Sequence, residues 1–237
     1  MAILTARPLY LRVRDALTER IAKFEWKPGT ALPNEGDLAR EFGVSAGTMR
    51  KALDLMEGER LLTRRQGRGT FVNDQASDDL VIRYCNIRGA DGERIAEHVE
   101  SAEIVEGTAN EAECVRLQLR IDDPVYRIRS VRFHQDQPFM VEQTSMPGVL
   151  FPALAVKNAF SQGIVVLAQQ NGLMLGKAEE RISVDVASPV VAEALRVAPA
   201  SPIMVLDRVL LTLVGEPVEW RIGHCHLLEN HYLAEMR

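Results

Sequence analysis

Cysteine is scarce. Cys85, Cys114 and Cys225 are odd in number and scattered through 237 residues, which argues against a disulfide framework and fits free thiols in a reducing cytoplasm. Long apolar runs are missing as well. No stretch reaches the ~18 residues of a membrane helix, so no membrane association is expected. Residues 1–8 have neither an apolar core nor a small-residue cleavage site. No secretory leader is read there, and the expected location is cytoplasmic.

Catalytic signatures are equally thin. Ser130, Ser145 and Ser161 lack the flanking glycines of a nucleophile elbow, so hydrolase chemistry is unsupported. His224, Cys225, His226 and His231 invite a metal reading. On a strand, however, alternation sends His224 and His226 to one face and Cys225 to the other, and no second cluster stands at zinc-like spacing. The expectation is a chain without metal or cofactor and without enzymatic activity. Trp26 and Trp220 read as packing residues. Internal repeats and low-complexity tracts are absent.

What is present is an ordinary globular composition, 46% hydrophobic and 26% charged, enough for one large or two modest cores. The net charge of −5 conceals a division. Residues 1–72 hold 13 Lys and Arg against 9 Asp and Glu, a net +4, and residues 73–237 hold 15 against 24, a net −9. A basic first third suggests contact with a polyanion; solubility alone is the plainer reading.

Leu9, Val13, Leu17, Ile21 and Phe24 form an apolar stripe at helical spacing, closed by the turn signal Pro28-Gly29. Asn34 can cap a second helix, with Asp37 three residues on in a capping-box-like pairing. Leu38, Ala39 and Phe42 give that helix its apolar face, and Gly43 its stop. Ser45 caps a third helix whose Met49, Ala52, Leu53 and Met56 face inward. Residues 61–72 then read as a basic β-hairpin with Gly67 and Gly69 at its tip. Residues 74–79 have linker composition, dividing a domain at 1–73 from one at 80–237. Beyond the linker, strand-like runs at 124–133, 138–142, 203–214 and 218–227 alternate with helix-like runs at 160–172 and 189–197, an α+β pattern.

Two short helices, a tight turn and a basic hairpin make a winged helix-turn-helix. The third helix fits a major groove, and the wing and helix N-termini hold phosphates. The small residues Ala46 and Gly47 permit close approach. At this point Pro8-Leu9-Tyr10, Trp26-Lys27-Pro28-Gly29, Leu32-Pro33-Asn34-Glu35, Phe42-Gly43-Val44-Ser45, Thr48-Met49-Arg50-Lys51-Ala52-Leu53 and residues 66–72 closely resemble the GntR family of bacterial regulators. The order of Arg132, Gln137-Pro138, Glu142, Leu206-Asp207-Arg208, residues 215–219 and Tyr232 resembles the HutC-type branch, whose UTRA effector domain has a chorismate-lyase-like fold. The resemblance implies a homodimeric, DNA-binding transcription regulator of the repressor type, bound to a roughly palindromic duplex and controlled by a small metabolite. It implies DNA-contacting residues at Asn34, Glu35, Ser45, Ala46, Gly47, Thr48, Arg50, Lys51, Arg65, Gln66, Gly67, Arg68 and Thr70. Two rivals stand beside it: a lyase-like enzyme, detectable by turnover of a chorismate-like substrate, and an architectural DNA binder, detectable by equal affinity for all duplexes.

The departures from the family pattern are informative. Arginines common in relatives are replaced by Gly36 and Ala46, which predicts altered base readout. Where phosphosugar sensors tend to carry Arg-x-Arg, this chain has Ser130-Val131-Arg132, and it has Arg221 where relatives carry a small polar residue. Strand alternation puts Glu219 and Arg221 on one face. The expected effector site therefore gathers Ser130, Arg132, Glu142, Glu219, Arg221 and Tyr232, and favours an organic acid or related anionic metabolite over a phosphosugar. The plainer alternative is that Arg132 and Glu142 merely pair with each other across strands.

Overall fold

The computed structural model describes residues 7–75, 86–93, 95, 98–152, 154 and 163–234. Among them no helix is long and apolar enough to cross a membrane.

Helix α1, Leu9–Ala22, buries Val13, Leu17 and Ile21. The ends of its predicted stripe behave differently. Leu9 is exposed, and Phe24 lies beyond the helix with φ 57°, packing back on the core from the turn. Helix α2, Glu35–Glu41, starts where Asn34 accepts from the Asp37 amide at 2.9 Å. The expected reciprocal bond does not form. Asp37 is one methylene shorter than the usual Glu, and its carboxylate instead takes the Asn34 side-chain amide and Arg40. Gly43, at φ 61°, supplies the left-handed residue after the helix. Helix α3, Ala46–Gly58, is capped by Ser45 and buries Met49, Ala52, Leu53 and Met56, as its periodicity predicts. The wing pairs β1, Leu62–Arg65, with β2, Gly69–Val72. Residues 29–32 line its far side through Leu32 N–H to Thr70 O (2.8 Å) and Val72 N–H to Thr30 O (2.9 Å).

The remaining strands are β3 (Ile87–Arg88), β4 (His98–Thr108), β5 (Pro124–His134), β6 (Gln137–Pro147), β7 (Leu175–Val186), β8 (Pro202–Thr212), β9 (Pro217–Cys225) and β10 (His231–Tyr232). Six form one antiparallel sheet in the order β4-β5-β6-β9-β8-β7, while β3 and β10 make a small separate pair. Among the described residues, the α+β domain also contains helices α4 (Glu111–Leu117), α5 (Ile164–Gln170) and α6 (Pro189–Leu195). One sheet face is covered by α4, through Glu113 and Arg116, and by α6, whose cluster reaches Val141.

The opposite face carries two apolar clusters. One joins Tyr126, Ile128, Met146 and Leu210 to Phe151, Leu154 and α5. The other joins Met140, Leu206 and Cys225 to Ile87, Ile95 and Tyr232. The rungs between them carry the polar side chains Ser130, Glu142, Thr144, Arg208 and Arg221, which make up the candidate site.

Gln75 falls within the predicted linker yet is only 2% exposed. Its side-chain amide donates to Leu175 O and accepts from Leu175 N–H, both at 2.7 Å. A side-chain amide thus satisfies a backbone position as a neighbouring strand would. Next to it Gln169 donates to Asp74 at 3.0 Å. Met174 and Leu213 pack into the apolar cluster of the helical domain, so the two domains share a seam. Residues 76–79 of the linker lie outside the described residues.

Candidate functional site

On the helical domain, Ser45 fixes the start of α3 by accepting from the Thr48 amide at 3.1 Å, and its hydroxyl lies 2.9 Å from that of Thr48. This leaves Ala46 and Gly47 exposed at the helix tip, with Thr48 half-buried. Arg50 Nε donates to Glu35 at 2.9 Å. With 67% of its side chain exposed, the guanidinium is held in place and remains reachable. Asn34 stands at the head of α2 beside this pair.

Lys51 rests its ammonium 4.0 Å from the Tyr10 ring centroid, and Arg65 lies 4.7 Å over Phe71. Such stacking orients a cation and keeps its charge outward. Gln66, Gly67 and Arg68 form the exposed wing tip, closed by Arg68 N–H to Arg65 O at 2.9 Å. Positive φ at Gly67 (68°) and Gly69 (110°) makes this turn possible. Thr70 follows in β2. The predicted contact residues thus fall on one helix tip, the head of the neighbouring helix and one wing.

On the sheet, two adjacent rungs run Ser130–Glu142–Gly223–Leu206–Ile182 and Ile128–Thr144–Arg221–Arg208–Glu180. Glu142 is fully buried and gathers three partners: Ser130 Oγ donates to it at 2.8 Å, Arg132 Nε lies at 3.0 Å, and Arg221 Nη1 at 3.1 Å. Arg132 is not directly opposite Glu142. A bulge after Arg132 shifts the register, so the pair is diagonal. Arg221 Nη2 also reaches Glu219 at 3.3 Å, and Arg208 holds the other Glu219 oxygen at 2.7 Å. The six residues expected at the effector site lie in or beside this network. Five share this network, and Tyr232 joins its edge by donating to Glu180, whose rung contains Arg208, while accepting from Asn86 at 2.8 Å.

The electrostatics follow from burial. Desolvation opposes ionisation of Glu142, yet the Arg132 and Arg221 charges, with hydrogen bonds from Arg132 and Ser130, outweigh it and hold the carboxyl at about 2. Glu219 is pulled below its ordinary value in the same way, burial being overcome by Arg221 and Arg208. Burial, helped by the hydrogen bond to Glu180, pushes Tyr232 up to about 12. Burial, then the Glu142 charge, raises Cys225 to about 12, so this thiol stays protonated and inert near neutral pH.

The carboxylates are fully shielded, whereas the Arg132 and Arg221 side chains keep 14% and 13% exposure. Two buried polar atoms directly opposite each other in the ladder, Thr144 Oγ1 and Arg221 Nε, have no hydrogen-bond partner among the described residues. Gly223, beside Glu142 on its rung, adds no side chain to the space above. Thr144, Arg208, Glu180 and Asn86 were not among the predicted site residues. Arg208 stands in the Leu-Asp-Arg run and was legible there, while Glu180 sits on a strand that the sequence pattern did not reveal.

No group of three or more His, Cys, Asp or Glu side chains among the described residues is arranged to hold a metal. Trp26 packs against the apolar cluster of the helical domain, whereas the half-buried Trp220 lies 5.7 Å from the Arg116 guanidinium and donates Nε1 to Asp207 at 2.8 Å.

Comparison with known proteins is consistent across the chain. The family "Bacterial regulatory proteins, gntR family" matches residues 9–72, and "UTRA domain" matches residues 77–228. The mannosyl-D-glycerate transport/metabolism system repressor MngR of Escherichia coli is 28% identical over 199 residues, covering 84% of this chain and 83% of that one. The histidine utilization repressor of Pseudomonas putida is 25% identical over 204 residues, covering 85% and 81%. The crystal structure of PhnF from Mycobacterium smegmatis shares the fold, with a TM-score of 0.55 at 19% identity over 95% of this chain and 99% of that one.

Proposed function

Because the chain belongs to the gntR family of bacterial regulatory proteins and carries a UTRA domain, we propose that it is a metabolite-controlled repressor whose effector is a small organic carboxylate. Two copies present α3 to successive major grooves of a roughly palindromic site. Thr48 and Arg50 on α3, with Gln66, Gly67 and Arg68 on the wing, carry the contacts.

The effector docks against Arg132 and Arg221. The observation that carries this reading is the pair of partly exposed arginine side chains against fully buried carboxylates, next to two unmet polar atoms. Glu142 and Glu219 offset most of the positive charge beforehand. A monoanion therefore adds less uncompensated negative charge to this nearly balanced network than a phosphate dianion does. Ser130, where phosphosugar sensors tend to have arginine, favours the same choice. Two relatives are named for histidine and mannosyl-D-glycerate, each of which carries a carboxylate. Effector binding shifts the helical domains, and DNA must reciprocally weaken effector binding.

The test is a thermal-shift screen against small carboxylates and sugar phosphates. A ligand at ~100-fold over its Kd adds about 2.7 kcal/mol of stability. A carboxylate hit lost in Arg221→Ala and able to release operator DNA supports the proposal. A sugar-phosphate hit indifferent to Arg221 overturns the ligand assignment.

A further inference from the structure

Arg14 and Thr18 stand four residues apart on α1, so they share one face of the helix, a turn apart. Together they line a cavity of about 430 Å³ between the two domains. Leu61 adds to the wall from the helical side; Lys177, Leu213 and the backbone of Gly176 come from the sheet side. Gly176 has no room for a side chain, because a Cβ there lies 2.6 Å from Thr212 O. Leu213 N–H donates to Met174 O at 2.9 Å, which fixes this wall while Leu213 packs on the helical core. The volume falls within the range of small-molecule sites, about 300–1,000 Å³.

Two polar groups of the wall residues are unmet. Thr18 is 8% exposed, and its Oγ1 has no hydrogen-bond partner among the described residues. The same holds for Arg14 Nε, although Asp15 Oδ1 stands 3.0 Å away. Buried polar groups are nearly always paired, so an unmet hydroxyl in a cavity wall marks a place where a ligand can be recognised. The charges, by contrast, are already engaged: Arg14 Nη1 donates to Glu59 at 3.2 Å, and Lys177 Nζ to Glu179 at 2.5 Å. This wall calls for a hydrogen-bonding oxygen rather than for a charge, and Leu61 and Leu213 call for an apolar body. A neighbouring cavity of about 560 Å³ shares Arg14, Thr18 and Leu213 but is rimmed by Asp15, Glu19 and Lys23, a poorer setting for an apolar body.

We propose that the 430 Å³ cavity is a second small-molecule site and that it takes an uncharged ligand, an apolar body bearing a carbonyl or hydroxyl oxygen. The Thr18 hydroxyl and the Arg14 Nε–H recognise the oxygen, and Leu61 and Leu213 flank the body. Because its walls come from both domains, the occupant binds the docked arrangement in preference to a parted one and shifts the balance toward docking. The site is independent of the effector reading, since it uses no residue of the network around Glu142.

The test uses the full chain and prodan, an uncharged naphthyl ketone whose emission moves to the blue on leaving water. Titration should show one saturable site per chain. Thr18→Ser keeps the oxygen and loses the methyl, whereas Thr18→Val keeps the shape and loses the oxygen. Binding should persist in Thr18→Ser and weaken about five-fold or more in Thr18→Val. The free Thr18→Val protein should melt no lower than the wild type, having shed an unmet polar group. Prodan at a concentration that saturates the wild type should also slow proteolytic cutting near residue 75 several-fold, and far less in Thr18→Val. Absence of saturable binding, equal affinity in the two variants, or the reverse order overturns the proposal. Binding lost in Arg221→Ala and kept in Thr18→Val puts the probe at the effector site, which overturns the seam site and leaves the effector reading standing.

Discussion

Glu142→Gln replaces a buried carboxylate by a near-isosteric amide and leaves Arg132 and Arg221 facing a neutral group at 3.0 and 3.1 Å. The cost can be reached by two routes. The folded carboxyl titrates at about 2 against an ordinary 4.5. At about 1.4 kcal/mol per pH unit, that difference corresponds to about 3 kcal/mol. Breaking one side of a buried ion pair costs about 3–5 kcal/mol in other proteins. The two agree, and for a chain of this length they correspond to a Tm lowered by roughly 6–12 °C.

The sign with pH is fixed by the direction of the shift. The folded value lies below the unfolded one, so the stabilisation is complete above the ordinary carboxylate range and is lost as pH falls from about 4.5 toward about 2. Calorimetric melts of wild type and Glu142→Gln at pH 7 and at pH 3.5 should show a wide gap that narrows. Sulfate should raise the Tm of the variant more than that of the wild type, because the anion offsets guanidinium charge that Glu142 no longer balances. A gap below about 1 °C at pH 7, or one unchanged at pH 3.5, refutes the assignment of Glu142 as a stabilising anion.

Gln75→Ala removes both bonds of the interdomain clasp, and each is worth about 0.5–1.5 kcal/mol. Limited proteolysis should cut near residue 75 several-fold faster, with little change in the secondary-structure signal. Arg50→Ala should weaken operator binding by roughly ten-fold or more, equivalent to about 1–3 kcal/mol for a lost base contact, and fluorescence anisotropy on specific and scrambled duplexes will separate lost specificity from lost charge. Ala46→Arg should change the preferred operator in a randomised-site selection; an unchanged consensus would mean that position 46 does not face the bases.

The helical domain was legible because its signals are local. Asn34, Gly43 and Ser45 punctuate the chain at the places where the helices stop and start, and Met49, Ala52, Leu53 and Met56 mark a buried face by spacing alone. The capping-box expectation at Asn34 failed over one methylene, while Asn110 and Glu113 form the full reciprocal pair within a helix the pattern did not reveal. Strands β4 and β7 escaped for a related reason: both are sheet edges. Their sequences, HVESAEIVEGT and LGKAEERISVDV, are rich in charge, so apolar alternation is diluted.

That Glu219 and Arg221 share a face was visible from strand parity, while Arg132 and Glu142 joined them through the family resemblance. The extension of this network to Thr144, Arg208 and Glu180 depends on register across five strands, which no single stretch of sequence encodes. The plainer alternative, that Arg132 and Glu142 pair with each other, is realised in part. They do touch, but diagonally, and Glu142 has further partners.

The Gln75 clasp sets an energy scale for the whole device. The two hydrogen bonds of Gln75, at about 0.5–1.5 kcal/mol each, contribute about 1–3 kcal/mol to the docked arrangement before the Gln169–Asp74 bond and the apolar contacts are counted. Moving a two-state equilibrium from 1:99 to 99:1 takes about 5.5 kcal/mol of differential affinity. A latch this light keeps the threshold within reach of one small ligand. Because it is a side chain rather than a shared strand, it can let go without unzipping either sheet or wing, so switching can be fast, reversible and independent of folding.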